Sequence, residues 1–239
     1  MGGFTDIHCH ILPLMDDGPE AAQESLAMAR CAFAAGTRVL VATPHVTPGV
    51  YDNSLASIRQ ATEAFRGLLQ EEGIDLDVRW AADVRLSPEL IRLVAEGSLP
   101  TLNKTGSRRF FLLEFPHDTI PPGSDKIVRR LLEQNYVPVL THPERHRVIC
   151  HHPGKLLPFL EMGCLSQLTA GSLTGVFGMD ARRCAVTLLE KDWAHVIASD
   201  AHDLRERSPD LREGVQAAAQ VVGMSRAMAM VTSIPGALL

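Results

Sequence analysis

Two short pairs frame the chemistry of this chain: His8–Cys9–His10 near its start and Asp200–Ala201–His202 near its end. In extended chain, residues i and i+2 point to one face. Each pair can therefore present two donors to a single cavity. Imidazole mixed with carboxylate and lacking thiolate suits Mn, Fe or Zn in a reactive site better than a structural zinc site. The same donor types recur as His45, Asp83, Glu114 and His142, and Asp16–Asp17–Gly18 adds carboxylates after the first pair. A lone histidine at a strand end is more often hydrogen-bonded structure than ligand, and HxH by itself is a weak signal. The joint pattern is stronger. An apolar run such as FFLL that ends in an unpaired carboxylate is costly unless something compensates the charge. A cation shared by many donors compensates all of them at once.

The elements between these donors must bring them together. Strand patterns fall at 4–11, 37–41, 76–84, 110–115, 137–141, 164–169 and 195–199. Helical patterns fall at 19–35, 55–72, 88–96, 120–135, 154–162, 180–191, 209–222 and 225–231, with Gly36 and Gly73 as stops. Seven strand–helix repeats with near-continuous apolar strands indicate an α/β fold whose parallel sheet is covered on both faces. No Pro/Gly/Ser linker divides the chain, so residues 1–239 read as one domain. The runs alone allow either an open doubly wound sheet or a closed barrel. His8 and His10 lie in the first strand, and His45 follows the second. Asp83, Glu114 and His142 end the third, fourth and fifth, while Asp200 and His202 follow the last. Donors gathered at the carboxyl ends of separate strands favour the barrel and meet at its functional rim.

Composition sets the outer bounds. The chain has 239 residues, a net charge of −5 and a pI near 6.0, and it carries no basic stripe. A general nucleic-acid partner is thereby excluded. No apolar run approaches the ~20 residues that a membrane helix needs, and the first residues lack the basic, greasy pattern of a signal peptide. Five cysteines, odd in number and without a CxxC pair, argue against a disulfide framework and for a cytoplasmic setting. His117, His146, His151, His152 and His195 fall in loops or at strand starts, where most are expected to be solvated. Cys9 is expected in the wall. Residues 171–175, GSLTG, read either as a phosphate-binding backbone nest or as a tight structural turn.

The segments DIHCHILPLMDDGP, VATPHVTPGVY, FLLEFP, THPER, QLTAGSLTGVFG and ASDAH occur in that order. Together they resemble the polymerase-and-histidinol-phosphatase (PHP) superfamily. Within it they look like the bacterial manganese-dependent protein-tyrosine phosphatases linked to capsule and exopolysaccharide assembly. The resemblance runs from Asp6 to Arg207. It implies a distorted seven-stranded, TIM-like (β/α) barrel holding three divalent metal ions, manganese foremost, with iron or zinc as alternatives. By position, the first metal would take His8, His10 and Asp200, the second Glu114 and His142, and the third Asp17, His45 and His202. Asp83 stands where the family has a bridging glutamate and is one methylene shorter. Arg145 and Arg207 match the family's phosphate-binding arginines.

The implied reaction is hydrolysis of phosphotyrosine on protein, the expected partner being the tail of a bacterial tyrosine autokinase. The nucleophile would be a metal-bridged hydroxide attacking phosphorus in line. Lowering the pKa of water from 15.7 to about 7 is worth roughly 12 kcal/mol, far more than general acid–base help supplies. A thiolate route needs arginine six residues past a cysteine. Met15, Thr37, Leu156, Ala170 and Glu190 stand there instead. The rival readings are a PHP phosphatase of a small metabolite such as histidinol phosphate, an amidohydrolase, and an inactive phosphotyrosine-binding module.

Overall fold

The computed structural model describes residues 3–239. Nine strand segments alternate with helices: β1 (Phe4–Cys9), β2 (Thr37–Ala42), β3 (His45–Val46), β4 (Asp77–Trp80), β5 (Asp83–Arg85), β6 (Arg109–Glu114), β7 (Tyr136–Thr141), β8 (Leu165–Thr169) and β9 (Val196–Ala198). They form a mixed α/β fold with two sheets, ordered β1-β2-β4 and β3-β5-β6-β7-β8-β9. Every pairing within them is parallel.

Nine segments in two sheets thus stand where the sequence reading has seven strands. One of the two extra segments arises within the expected strand 76–84. There β4 ends on β2, and after Ala81–Ala82 the chain resumes as β5 in the other sheet. The neighbouring path makes the same shift from β2 to β3 at Thr43–Pro44, where proline has no N–H for a ladder. The two shifts are locked together, because Ala81 N–H donates to the Ala42 carbonyl (2.9 Å) and Asp83 N–H to the Pro44 carbonyl (3.2 Å). At another junction Asp200 N–H donates to the His8 carbonyl and His10 N–H to the Ala201 carbonyl, both at 2.8 Å. Cys9 and Ala201 pair there as an isolated parallel bridge.

Strand alternation sorts the apolar side chains into two clusters. Ile7, Val41, Ala81, Leu112, Val139, Val196 and Ala198 belong to a small one. Phe111, Leu113, Leu140, Leu168 and Ile197 belong to the large one shared with the helices. Two residues beyond members of the small cluster the same faces turn polar: Ala81 leads to Asp83, Leu112 to Glu114, Val139 to Thr141 and Ala198 to Asp200. Only β1 departs from this step. Its pairing with β2 shifts register between Asp6 and Cys9, which leaves Cys9 in the large cluster.

The expected helices are present with bounds moved by a few residues. The stretch 154–162 divides into a 3-10 turn, Pro153–Lys155, and the helix Leu157–Glu161. Three further short helices, Arg147–His151, Ala170–Thr174 and Ser233–Gly236, have no counterpart in the sequence reading. The second absorbs most of GSLTG and is closed by Gly175 in the left-handed region (φ 91°). The helix Arg212–Val222 crosses Ala170–Thr174 so closely that a Cβ at Gly214 would lie 2.6 Å from Ala170 Cβ. No described helix is long and apolar enough to cross a membrane.

Candidate metal centre

The strand ends deliver all nine expected donors to one place. His8 Nε2 lies 3.1 Å from His10 Nε2, 3.3 Å from Asp200 Oδ1 and 3.7 Å from Asp83 Oδ2. Asp83 Oδ2 is in turn 3.5 Å from His45 Nδ1 and 4.0 Å from His142 Nε2. Glu114 reaches His142 at 3.8 Å and His45 at 4.0 Å. Asp17 Oδ1 closes the far side, 3.6 Å from His45 Nε2 and 3.2 Å from His202 Nε2. Three groups have donor atoms mutually within 4.8 Å: His8–His10–Asp200, His10–Asp17–His45–His202 and His45–Asp83–Glu114. His142 and Asp200 adopt left-handed backbone (φ 34° and 50°) directly after β7 and close behind β9. Non-glycine residues rarely accept that conformation, and it clusters at functional sites.

The electrostatics leave most of these groups ready to donate. Burial lowers His8 to about 3. Burial and the neighbouring His10 charge bring His45 to about 3 as well, and burial beside Arg145 carries His142 well below the ordinary imidazole range. All three are neutral, with a lone pair free for a cation. Burial and the adjacent Glu114 push Asp83 well up. Asp200 goes the other way: burial alone would raise it, but His8, His10, Arg145 and Arg207 hold it well below the carboxylate range. His45 Nδ1, Asp83 Oδ2 and His202 Nε2 are buried without a hydrogen-bond partner. Orphaned acceptors of this kind are costly, and imidazole and carboxylate oxygen are the ligands divalent transition metals take. The donor set fits such cations.

A supporting layer orients the donors. His10 Nδ1 meets Asp16 Oδ2 at 2.6 Å, and Asp16 also accepts from Gly18 N–H (3.0 Å) and His45 N–H (2.9 Å). Gln167 Oε1 holds His8 Nδ1 at 2.8 Å, and Arg85 Nε donates to Glu114 at 2.7 Å. Both guanidinium groups expected to hold phosphate turn to the same carboxylate. Arg207 reaches Asp200 Oδ2 at 2.8 Å, and Arg145 contacts that oxygen too. The Phe177 ring lies 4.1 Å from the Arg145 guanidinium and 6.0 Å from that of Arg207. Buried Glu144 accepts from Thr169 N–H (2.9 Å) and Ser172 Oγ (2.7 Å), which pins the turn carrying Arg145. Asp16 had a signal in DDG, although adjacent identical residues do not reveal which one faces the histidines. Gln167, Glu144 and Phe177 lie within or beside recognised segments, but their spacing carries no signal of a role.

The groups left out of the site are mostly where expected. His117, His151 and His152 are exposed and His195 is half-buried. His146 is the exception: it is buried, accepts from Ile149 N–H at 3.3 Å to cap the helix Arg147–His151, and places Nε2 3.1 Å from the Thr119 carbonyl. Burial raises the Cys9 thiol and pushes Cys164 up to about 12, so neither is poised as a nucleophile.

The family described as capsular polysaccharide synthesis, CpsB/CapC, matches residues 4–239. Tyrosine-protein phosphatase YwqE of Bacillus subtilis (strain 168) is 38% identical over 212 residues, 89% of this chain and 82% of that protein. Tyrosine-protein phosphatase CpsB of Streptococcus pneumoniae is 26% identical over 237 residues, 97% of this chain and 96% of the relative. A solved structure from work on YwqE and CpsB, described there as unique metal-dependent tyrosine phosphatases, superposes with a TM-score of 0.92 at 37% identity. It covers 98% of this chain and 94% of that one.

Proposed function

The chain belongs to the CpsB/CapC family of capsular polysaccharide synthesis proteins, and from that premise we propose that it is a metal-dependent protein-tyrosine phosphatase. Its substrate is a tyrosine-phosphorylated protein, the tail of a bacterial tyrosine kinase that governs capsular or exopolysaccharide synthesis. The observation that carries this reading is the meeting of His8, His10, Asp17, His45, Asp83, Glu114, His142, Asp200 and His202 beside Arg145 and Arg207.

We assign His8, His10 and Asp200 to one cation, Glu114 and His142 to a second, Asp17, His45 and His202 to a third, and Asp83 to a bridging place. Three manganese ions fit this set, and iron or zinc would satisfy the same ligands. When bound, they would supply Lewis-acid activation of water and neutralise charge on the phosphoryl oxygens. The chain's own part is positional. Arg145 and Arg207 offer planar forks that match phosphate oxygens bidentately, and Phe177 braces the Arg145 fork. Neutral His8, His45 and His142 keep lone pairs directed inward. Tyrosinate, with a phenol pKa near ~10, leaves without a strong acid, and the site presents none aimed from outside the donor set.

We further read residues 1–239 as one domain whose two sheets make a distorted barrel. The bonds between β1 and residues 200–201 support that closure. Five free cysteines are compatible with a reducing cytoplasm.

The decisive assay is phosphate release from a phosphotyrosine peptide after two treatments. Chelation should abolish turnover and added manganese should restore it, whereas alkylation of thiols should leave turnover intact. Loss on alkylation with persistence under chelator would overturn the assignment.

A further inference from the structure

A cleft of about 670 Å³ opens directly from the candidate metal centre on the side of Asp17 and His202. The first-strand loop, the helix Ala22–Ala34 and the loop 203–206 form its walls. Its floor is apolar: Pro19, Ala27 and Met28 face Leu204, a leucine left 46% exposed. Its rim is acidic. Glu20, Glu24 and Glu206 are exposed there, and among the described residues none of the three pairs with lysine or arginine. Arg205 is the one cation on the same rim. The reverse polarity is found on Asp200, where Arg145 and Arg207 converge beside Phe177.

This polarity sorts a phosphotyrosyl segment into two parts. The phosphate dianion is drawn to the arginine side. The residues next to the phosphotyrosine must then run along a trough whose floor takes aliphatic side chains and whose rim takes positive charge. Ligand sites of this size commonly combine an apolar lining with a few polar selectors. Like charges facing each other across such a contact are strongly disfavoured. We propose that this cleft seats the chain flanking the phosphotyrosine and selects segments carrying a lysine or arginine beside an aliphatic residue, against acidic segments. The proposal rests on the phosphatase reading and names the class of protein segment that reading leaves open.

The test uses the full chain with manganese and two peptides equal in length, one with Lys and Leu flanking the phosphotyrosine and one with Glu and Ser. A small aryl phosphate, which cannot reach the cleft, serves as the third substrate. The wild type should favour the basic–aliphatic peptide by about five- to tenfold in kcat/KM, carried by KM, because each exposed ion pair contributes modestly. The charge component should shrink in ~1 M salt, where the screening length falls to about 3 Å. Glu20→Lys/Glu24→Lys should erase or reverse the charge preference, and Leu204→Ser should reduce the aliphatic preference. Both variants should leave aryl phosphate turnover unchanged. Equal use of the two peptides by the wild type, or a preference untouched by both variants, would overturn the cleft while leaving the phosphatase reading standing. No release of phosphate from any of the three substrates would overturn that reading, and the cleft with it.

Discussion

His10 differs from the other buried imidazoles of the centre. Burial works against its charge, but the bonds to Asp16 and Asp200 override that and raise it to about 10. Without a cation it therefore keeps its proton through neutral pH, whereas His8 at about 3 has none to lose. A ligand must be deprotonated to bind metal, so binding must expel the His10 proton, and affinity must fall as pH is lowered. Calorimetric titration of manganese into metal-free protein should show release of at least one proton, that of His10, with buried Asp83 adding to the count, when buffers of different ionisation enthalpy are compared. Asp16→Asn should reduce that number, since it removes the partner that stabilises the charged ring. A titration that is independent of buffer would contradict the account. Asp83 is fully buried and charge-averse, and its Oδ2 lies within 4.0 Å of His8, His45 and His142.

At the level of elements, the parts legible from sequence were those whose signal is local. Continuous apolar runs marked β6 and β7, and glycine stops marked the long helices. The donors at strand ends were legible because a charged residue closing a greasy strand is anomalous wherever it occurs. What escaped depends on neighbours distant along the chain. Nothing near Ala81–Ala82 announces that β4 and β5 belong to different sheets, since the break is fixed by bonds to Ala42 and Pro44. Gln167 and Glu144 look like ordinary polar residues until β1 and the helix Ala170–Thr174 come to rest against them.

Gly214 is another such case. Alanine would normally strengthen the helix Arg212–Val222 by about 1 kcal/mol. Here its Cβ would meet the Cα, Cβ and carbonyl oxygen of Ala170 within 2.8 Å. Overpacking of that kind costs about 1–3 kcal/mol, and backbone cannot step aside as a flexible side chain can. Gly214→Ala should therefore lower Tm by roughly 2–4 °C, for a net loss of about 1 kcal/mol. Calorimetric unfolding measures it directly, and an unchanged or higher Tm would show that the helices separate freely.

For the whole molecule, the centre and the core are one construction, because the polar site sits one two-residue step beyond the small apolar cluster. Cations bound by the folded chain and not by the unfolded one add stability by mass action. The gain is about 2.7 kcal/mol per site at a hundredfold excess over Kd, or roughly 5–10 °C at this size. Chelation should lower Tm by at least one such step, and manganese should restore it in a concentration-dependent way. Identical melting curves with and without chelator would separate the centre from the fold.

The bonds between β1 and residues 200–201 also bear on how the molecule comes into being. His8 and His10 emerge from the ribosome early, but the carboxylate and imidazole that complete their cage are made almost two hundred residues later. The corner built on Asp200 and His202 therefore closes only at the end of synthesis, and a nascent chain stalled midway carries His8 and His10 without those two partners.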